Sequence, residues 1–121
     1  MADQLIPPNG TTEYYERVLA LDADAADYYR HFEAPGVGHC FGGAGAYPHT
    51  MFQSLIDWVE HGLAPDKLGA KAVPRDESQP VKARILCPYP QVAAYVGGDV
   101  NDAGSFVCAD SFNVAKQHNE L

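Results

Sequence analysis

The 121-residue chain contains no apolar run close to the roughly 20 residues that a membrane-spanning helix needs. It also opens without a basic segment or a long apolar stretch, so we expect no signal peptide within it. Basic residues are scarce, because eight Lys and Arg face 16 Asp and Glu and give a formal net charge of -8. Nucleic-acid backbones and anionic membranes are bound by clustered Lys and Arg. We therefore expect neither nucleic acid nor membrane as a partner.

The sequence also lacks a serine in a nucleophile elbow. The four serines are Ser54, Ser78, Ser105 and Ser111. None of them lies in a Gly-x-Ser-x-Gly segment or another tight strand-to-helix turn. The chain therefore contains no candidate for the attacking hydroxyl of a serine hydrolase.

Cysteine is rare and odd in number, with Cys40, Cys87 and Cys108. One thiol must then be free or bonded to a partner outside the chain. Three buried free thiols, as in a chain from a reducing compartment, are the alternative. The residues alone leave both possibilities open.

Length and composition, with 46% hydrophobic and 20% charged residues, are typical of one small globular unit. Apolar periodicity predicts a helix from Thr11 to Leu21, with Gly10 or Thr11 as its N-cap. A second helix is predicted from Thr50 to His61. Thr50 and Gln53 form a possible capping box there, and Gly62 suits the C-terminal end.

Strands are predicted around the two helices. We expect the end of a strand within residues 1–9, a strand at 28–34 and a small hairpin of strands at 70–73 and 82–87. Residues 36–45 contain five glycines and must form a loop, whereas the Pro/Gly-punctuated tail from Pro88 is expected to be mostly irregular. The order strand, helix, strand, helix predicts an α/β layer of the βαβα type.

Asp3 and His39 each follow a predicted strand. Loops after neighbouring parallel strands converge at one edge of a sheet, where α/β enzymes keep their sites. An Asp followed by a His matches the second half of the order Ser, Asp, His in hydrolases of this class. The His would act as the base and the Asp would orient it. A solvated or structural role for both residues is the simpler alternative, and it is our interpretation of the other histidines, His31, His49, His61 and His118.

Four separated segments resemble the tannase/feruloyl esterase family. They are MADQLIPPNGT at 1–11 with YYERV at 14–18, PGVGHC at 35–40, LIDWVEHGLAPD at 55–66, and CPYPQ at 87–91 with GGDVNDAGSFVC at 97–108. The resemblance covers essentially residues 1–110 in the family's order. It implies that the chain is the C-terminal portion of an α/β-hydrolase fold, incomplete as a stand-alone domain.

The resemblance also implies roles for individual residues. Asp3 would be the triad acid and His39 the triad base. Cys87 and Cys108 would pair with each other, and Cys40 would bridge to a cysteine outside this chain, beside the nucleophilic serine. The family's serine, oxyanion hole, lid domain and lid calcium site would lie in a part of the enzyme absent from this sequence, so we expect no cofactor in the chain itself.

The favoured hypothesis is therefore a portion of a secreted serine esterase for aromatic feruloyl or galloyl esters. Its partners would be that substrate and the N-terminal part of the same enzyme, and the chain alone would be inactive. The alternative is a non-catalytic secreted binding or structural module derived from the same fold. A metal site at Asp3, His39 and Cys40 is not expected, because adjacent His and Cys give poor ligand spacing and no Cys-x-x-Cys pair supports them.

Overall fold

The computed structural model describes residues 3–111. His118 and residues 1–2, which precede Asp3, lie outside the described residues. The helices are α1, Pro8–Leu21, and α2, Met51–His61. The strands are β1, Leu68–Ala72; β2, Lys82–Leu86; β3, Gln91–Tyr95; and β4, Phe106–Asp110. Two short 3-10 turns lie at Ala25–Asp27 and Ala103–Ser105.

Helix α1 begins three residues earlier than the sequence predicted. Pro7 is its N-cap and Pro8 its first residue, so the assignment of Gly10 or Thr11 to the cap is wrong. Proline suits the first helical position because its missing N–H would have no partner there and its φ is already helical. Pro7 and Pro8 thus mark the start of this helix, which apolar periodicity alone places at Thr11.

Helix α2 confirms the second predicted helix, and Gly62 ends it with a φ of 70°. The predicted capping box is wrong, because Thr50 makes no side-chain cap. The Thr50 hydroxyl instead accepts a hydrogen bond from the Gly69 N–H at 3.1 Å, while the Gln53 amide bonds Asp57 at 3.0 Å. Thr50 therefore joins the start of α2 to β1.

The predicted hairpin is present as antiparallel β1 and β2, with Leu68 opposite Leu86. The expectation of an irregular tail is wrong, since β3 and β4 form a second antiparallel hairpin with Tyr95 opposite Phe106. The Arg84 guanidinium lies 4.7 Å from the centre of the Phe106 ring and so joins the two hairpins.

The two other predicted strands are not formed among the described residues. Residues 3–7 are a bent loop. Within 28–34 only Phe32 forms a bridge, to Pro88, because proline has no N–H with which to continue a ladder. The described residues accordingly combine helices with two antiparallel hairpins and contain no parallel βαβα layer.

The core of the described residues is small. Leu68, Ala70 and Leu86 are its buried centre. Helix α2 has no buried residue, and the apolar side chains of Phe52, Leu55 and Val59 are exposed. Neither helix is long and apolar enough to cross a membrane.

Candidate active site

Asp3 is held in a tight turn by the backbone that follows it. Its Oδ1 atom accepts hydrogen bonds from the N–H of Leu5 at 2.8 Å and of Ile6 at 2.9 Å. Such local acceptor geometry is common for Asp in loops. The Ile6 and Leu5 N–H groups, and then His39, lower the pKa of Asp3 below its usual value of 3.8. The carboxyl group is therefore ionised at neutral pH.

The histidine loop, residues 36–45, is closed by its own backbone. Val37 and Gly43 form a bridge, and the Gly38 N–H donates to the Gly42 carbonyl at 2.9 Å. A Cβ at Gly43 would lie 2.2 Å from the Gly36 carbonyl oxygen, so only glycine fits this crossing. The glycines predicted to form a loop thus allow a compact turn that presents His39.

The structure brings Asp3 and His39 together although 36 positions separate them. The Oδ2 atom of Asp3 lies 3.2 Å from Nδ1 of His39. Both side chains are partly exposed, at 22% for Asp3 and 30% for His39. Because an ionised carboxylate can only accept, Nδ1 must carry the proton and donate. This leaves Nε2 as the basic nitrogen, and it makes no hydrogen bond within residues 3–111.

Gln4 is a second contact between the same two loops, and the sequence did not predict it. Its Oε1 atom accepts a hydrogen bond from the backbone N–H of His39 at 3.3 Å. A glutamine directly after an aspartate has no distinctive spacing. No signal in the sequence could have assigned this role.

His31 has a structural role, as expected for it. Its Nε2 lies 3.1 Å from the Thr12 hydroxyl, which itself donates to Glu33 at 2.8 Å. The His31 ring also packs against Tyr15 and Tyr89, with centroids 5.7 and 5.9 Å away. Through these contacts, the His31 ring joins α1 to the segment before the histidine loop.

A cleft of about 420 Å³ lies between α1 and the segment that leads to the histidine loop. Asp3 and Ile6 line it from one side, and His31 and Glu33 from the other. The cleft therefore borders Asp3 but not His39. The cleft contains no serine, and no serine hydrogen-bonds His39 within the described residues.

The cysteines divide into one pair and one single thiol. Cys87 and Cys108 form a disulfide across a sequence separation of 21, as the resemblance implied. Cys40 is free and exposed within the described residues, and it has a φ of 63°. A non-glycine residue rarely adopts that left-handed conformation. Because Cys40 directly follows His39, the same turn presents both side chains. No group of three His, Cys, Asp or Glu side chains within residues 3–111 could hold a metal ion.

The family of the chain follows from its similarity to known proteins. Residues 1–109 match the family model described as "Tannase and feruloyl esterase". The chain belongs to the tannase and feruloyl esterase family. The mono(2-hydroxyethyl) terephthalate hydrolase of Piscinibacter sakaiensis is 41% identical over 111 residues, which cover 90% of this chain and 18% of that relative.

A probable feruloyl esterase of Arthroderma benhamiae is 41% identical over 117 residues, covering 93% of this chain and 22% of that protein. The chain therefore spans about a fifth of the length of these two curated relatives.

Solved structures of this family give the same result. An esterase from Aspergillus oryzae superposes with a TM-score of 0.77 at 28% identity, covering 88% of this chain and 25% of that structure. Tannin acyl hydrolase from Aspergillus niger superposes with a TM-score of 0.71 at 25% identity, covering 94% of this chain and 22% of that structure. The family assignment thus rests on sequence and on fold.

Proposed function

We propose that the chain supplies the acid and the base of a Ser-His-Asp triad in a carboxylic ester hydrolase of the α/β-hydrolase fold. The observation that carries the proposal is the Asp3–His39 contact of 3.2 Å. The two backbone N–H bonds to Asp3 support it, because they hold the carboxylate in place and lower its pKa. The nucleophilic serine would come from a part of the protein outside these 121 residues.

The reaction follows from the free Nε2 of His39. This nitrogen would take the proton of the serine hydroxyl as the serine oxygen attacks the ester carbonyl, and Asp3 would stabilise the resulting imidazolium. The imidazolium would then give that proton to the departing alcohol as the C–O ester bond breaks, leaving an acyl-enzyme. A water activated by the same nitrogen would release the acid and restore the serine.

We further propose esters of aromatic carboxylic acids as substrates. The support is in the names of the relatives, which include a terephthalate monoester hydrolase, a feruloyl esterase and a tannin acyl hydrolase. Feruloyl and galloyl esters fit this class equally well. The described residues contain no feature that favours one of them.

The rest of the same protein is the proposed partner. Phe52, Leu55 and Val59 of α2 are 74%, 53% and 76% exposed, and an apolar stripe of this kind packs against another element in a complete fold. Cys40 would bridge to a cysteine in that remaining part. A lid with a calcium site would belong there too. We expect neither nucleic acid nor membrane among the partners.

Secretion is part of the proposal, and the Cys87–Cys108 disulfide supports it. Disulfides form and persist mainly in oxidising compartments. A secreted protein would also allow the proposed bridge from Cys40 to form.

Hydrolysis of methyl ferulate and methyl gallate by the complete protein that carries this chain tests the proposal. His39→Ala should lower kcat by a factor on the order of 10⁴ to 10⁶. The exposed loop residue His49 provides the control, and His49→Ala should retain activity. The 121-residue chain alone should hydrolyse neither ester. If His39→Ala is active, or if the wild-type protein is inactive, the alternative is favoured, in which this chain is a non-catalytic binding or structural module.

A further inference from the structure

The loop of the acid and the loop of the base are joined by two hydrogen bonds within residues 3–111. The first is the side-chain bond from His39 to Asp3. The second runs from the backbone N–H of His39 to Oε1 of Gln4 at 3.3 Å. The same Gln4 oxygen lies 3.6 Å from the place that a Cβ on Gly38 would occupy. Gln4 therefore contacts the backbone directly before and at the histidine.

These two bonds restrain different parts of His39. The histidine loop is closed internally by bonds such as Gly38 to Gly42 and Gly45 to Gly36, each 2.9 Å. Those bonds set the shape of the loop but not its position relative to Asp3. The bond to Asp3 acts on the imidazole, which can turn about its own side-chain torsions. The bond to Gln4 acts on the backbone from which the ring projects.

We propose that Gln4 is a positioning residue that holds the His39 backbone so that the ring stays aligned between Asp3 and the substrate. The inference rests on the proposed function of the Asp3–His39 pair. Two adjacent residues of one loop attach to one residue of the other, and a two-point attachment fixes orientation as well as distance. A base displaced by even 1 Å transfers a proton much more slowly.

Two substitutions at Gln4 separate the hydrogen bond from the shape of the side chain. Gln4→Met keeps the length of the unbranched side chain and removes the acceptor. Gln4→Glu keeps an acceptor, since a carboxylate oxygen also accepts from an N–H. Gln79→Met is the matched control, because Gln79 is exposed in a distant turn and its side chain makes no hydrogen bond within the described residues.

In the complete protein, Gln4→Met should lower kcat on methyl ferulate about 3- to 30-fold and leave KM within about twofold. Gln4→Glu should stay within about threefold of wild type, and Gln79→Met should match it. A purely structural defect would reduce the amount of folded enzyme in both Gln4 variants. Equal losses in Gln4→Met and Gln4→Glu, or a change in KM alone, would overturn the proposal.

Hydrogen exchange of the His39 amide tests the contact without any activity. Gln4→Met should speed this exchange about tenfold or more, while Gln4→Glu and Gln79→Met leave it near the wild-type rate. Unchanged exchange in Gln4→Met would refute the positioning role. If the exchange changes as expected but His39→Ala remains active, the positional contact stands and the proposed triad fails.

Discussion

The Cys87–Cys108 disulfide links the end of β2 to β4 across a sequence separation of 21. In the chain-entropy treatment, a cross-link around a loop of this length stabilises the folded state by about 3 kcal/mol. We expect Cys87→Ala to remove that contribution from the β3–β4 hairpin. Because each 1.4 kcal/mol is a factor of ten, hydrogen exchange of β3 and β4 amides should become roughly a hundredfold faster.

A double-mutant cycle controls this measurement. Either single alanine variant breaks the whole bridge, so Cys108→Ala should cost nearly as much as Cys87→Ala, and the double variant should cost little more than either. Cys87 is only 5% exposed, so its truncation adds a small packing loss to that value. Additive effects of the two substitutions, or a loss in exchange protection below about tenfold, would refute the reasoning.

Two further predictions concern the loops of the site. Gly45→Ala would place a Cβ 2.1 Å from the Pro35 carbonyl oxygen, so it should lower the free energy of unfolding in urea by about 1–3 kcal/mol. In the control Gly10→Ala, the added Cβ meets no atom within 4 Å in α1, so this variant should be as stable as wild type or more stable. Equal effects of the two substitutions would contradict the prediction. Because the folded pKa of Asp3 lies below its usual value of 3.8, the unfolded chain takes up the proton first. The contribution of Asp3 to stability should therefore be full above about pH 4 and be lost as the pH falls through the lowered pKa. When the free energy of unfolding is measured against pH, Asp3→Asn should lack this loss of stability at acid pH. If wild type and Asp3→Asn lose stability equally at acid pH, the proposed contribution of the Asp3 turn is wrong.

The elements with a strong local pattern were predictable. Helix α2 has apolar residues at helical spacing and a glycine at its end, and the β1–β2 hairpin has two short apolar runs around a polar turn. The β3–β4 hairpin was missed because Pro88 and Pro90 directly before it, and the glycines within it, suggested an irregular tail. Gly97 and Gly98, with φ values of 116° and 101°, instead form part of the connection between two strands.

The predicted strand at 28–34 failed for a different reason. Its aromatic residues suit a strand, but a strand also needs a hydrogen-bonded neighbour along its length. Within the described residues that segment pairs only at Phe32. Tyr29 and His31 instead contact the ring of Tyr15 on α1, with centroids 5.1 and 5.7 Å away.

The site was predicted in part. Residue order and the family resemblance indicated Asp3 and His39, but only the fold shows that they touch. The turn that holds Asp3 could in principle have been predicted, because an Asp side chain in a loop commonly accepts hydrogen bonds from backbone N–H groups a few residues later. The Gln4 contact was not, since it depends on how two distant loops pack.

The most direct test of the proposed triad is the effect of Asp3→Asn on ester hydrolysis by the complete protein. An amide at this position would no longer hold Nδ1 of His39 in its protonated form, so the wrong imidazole tautomer would face the serine. Asp76 supplies the control, because it also accepts from a backbone N–H, that of Ser78 at 2.9 Å, and its pKa is likewise lowered. The account predicts that Asp3→Asn lowers kcat by about 10⁴ while Asp76→Asn leaves it unchanged. A kcat for Asp3→Asn within tenfold of wild type would contradict the account.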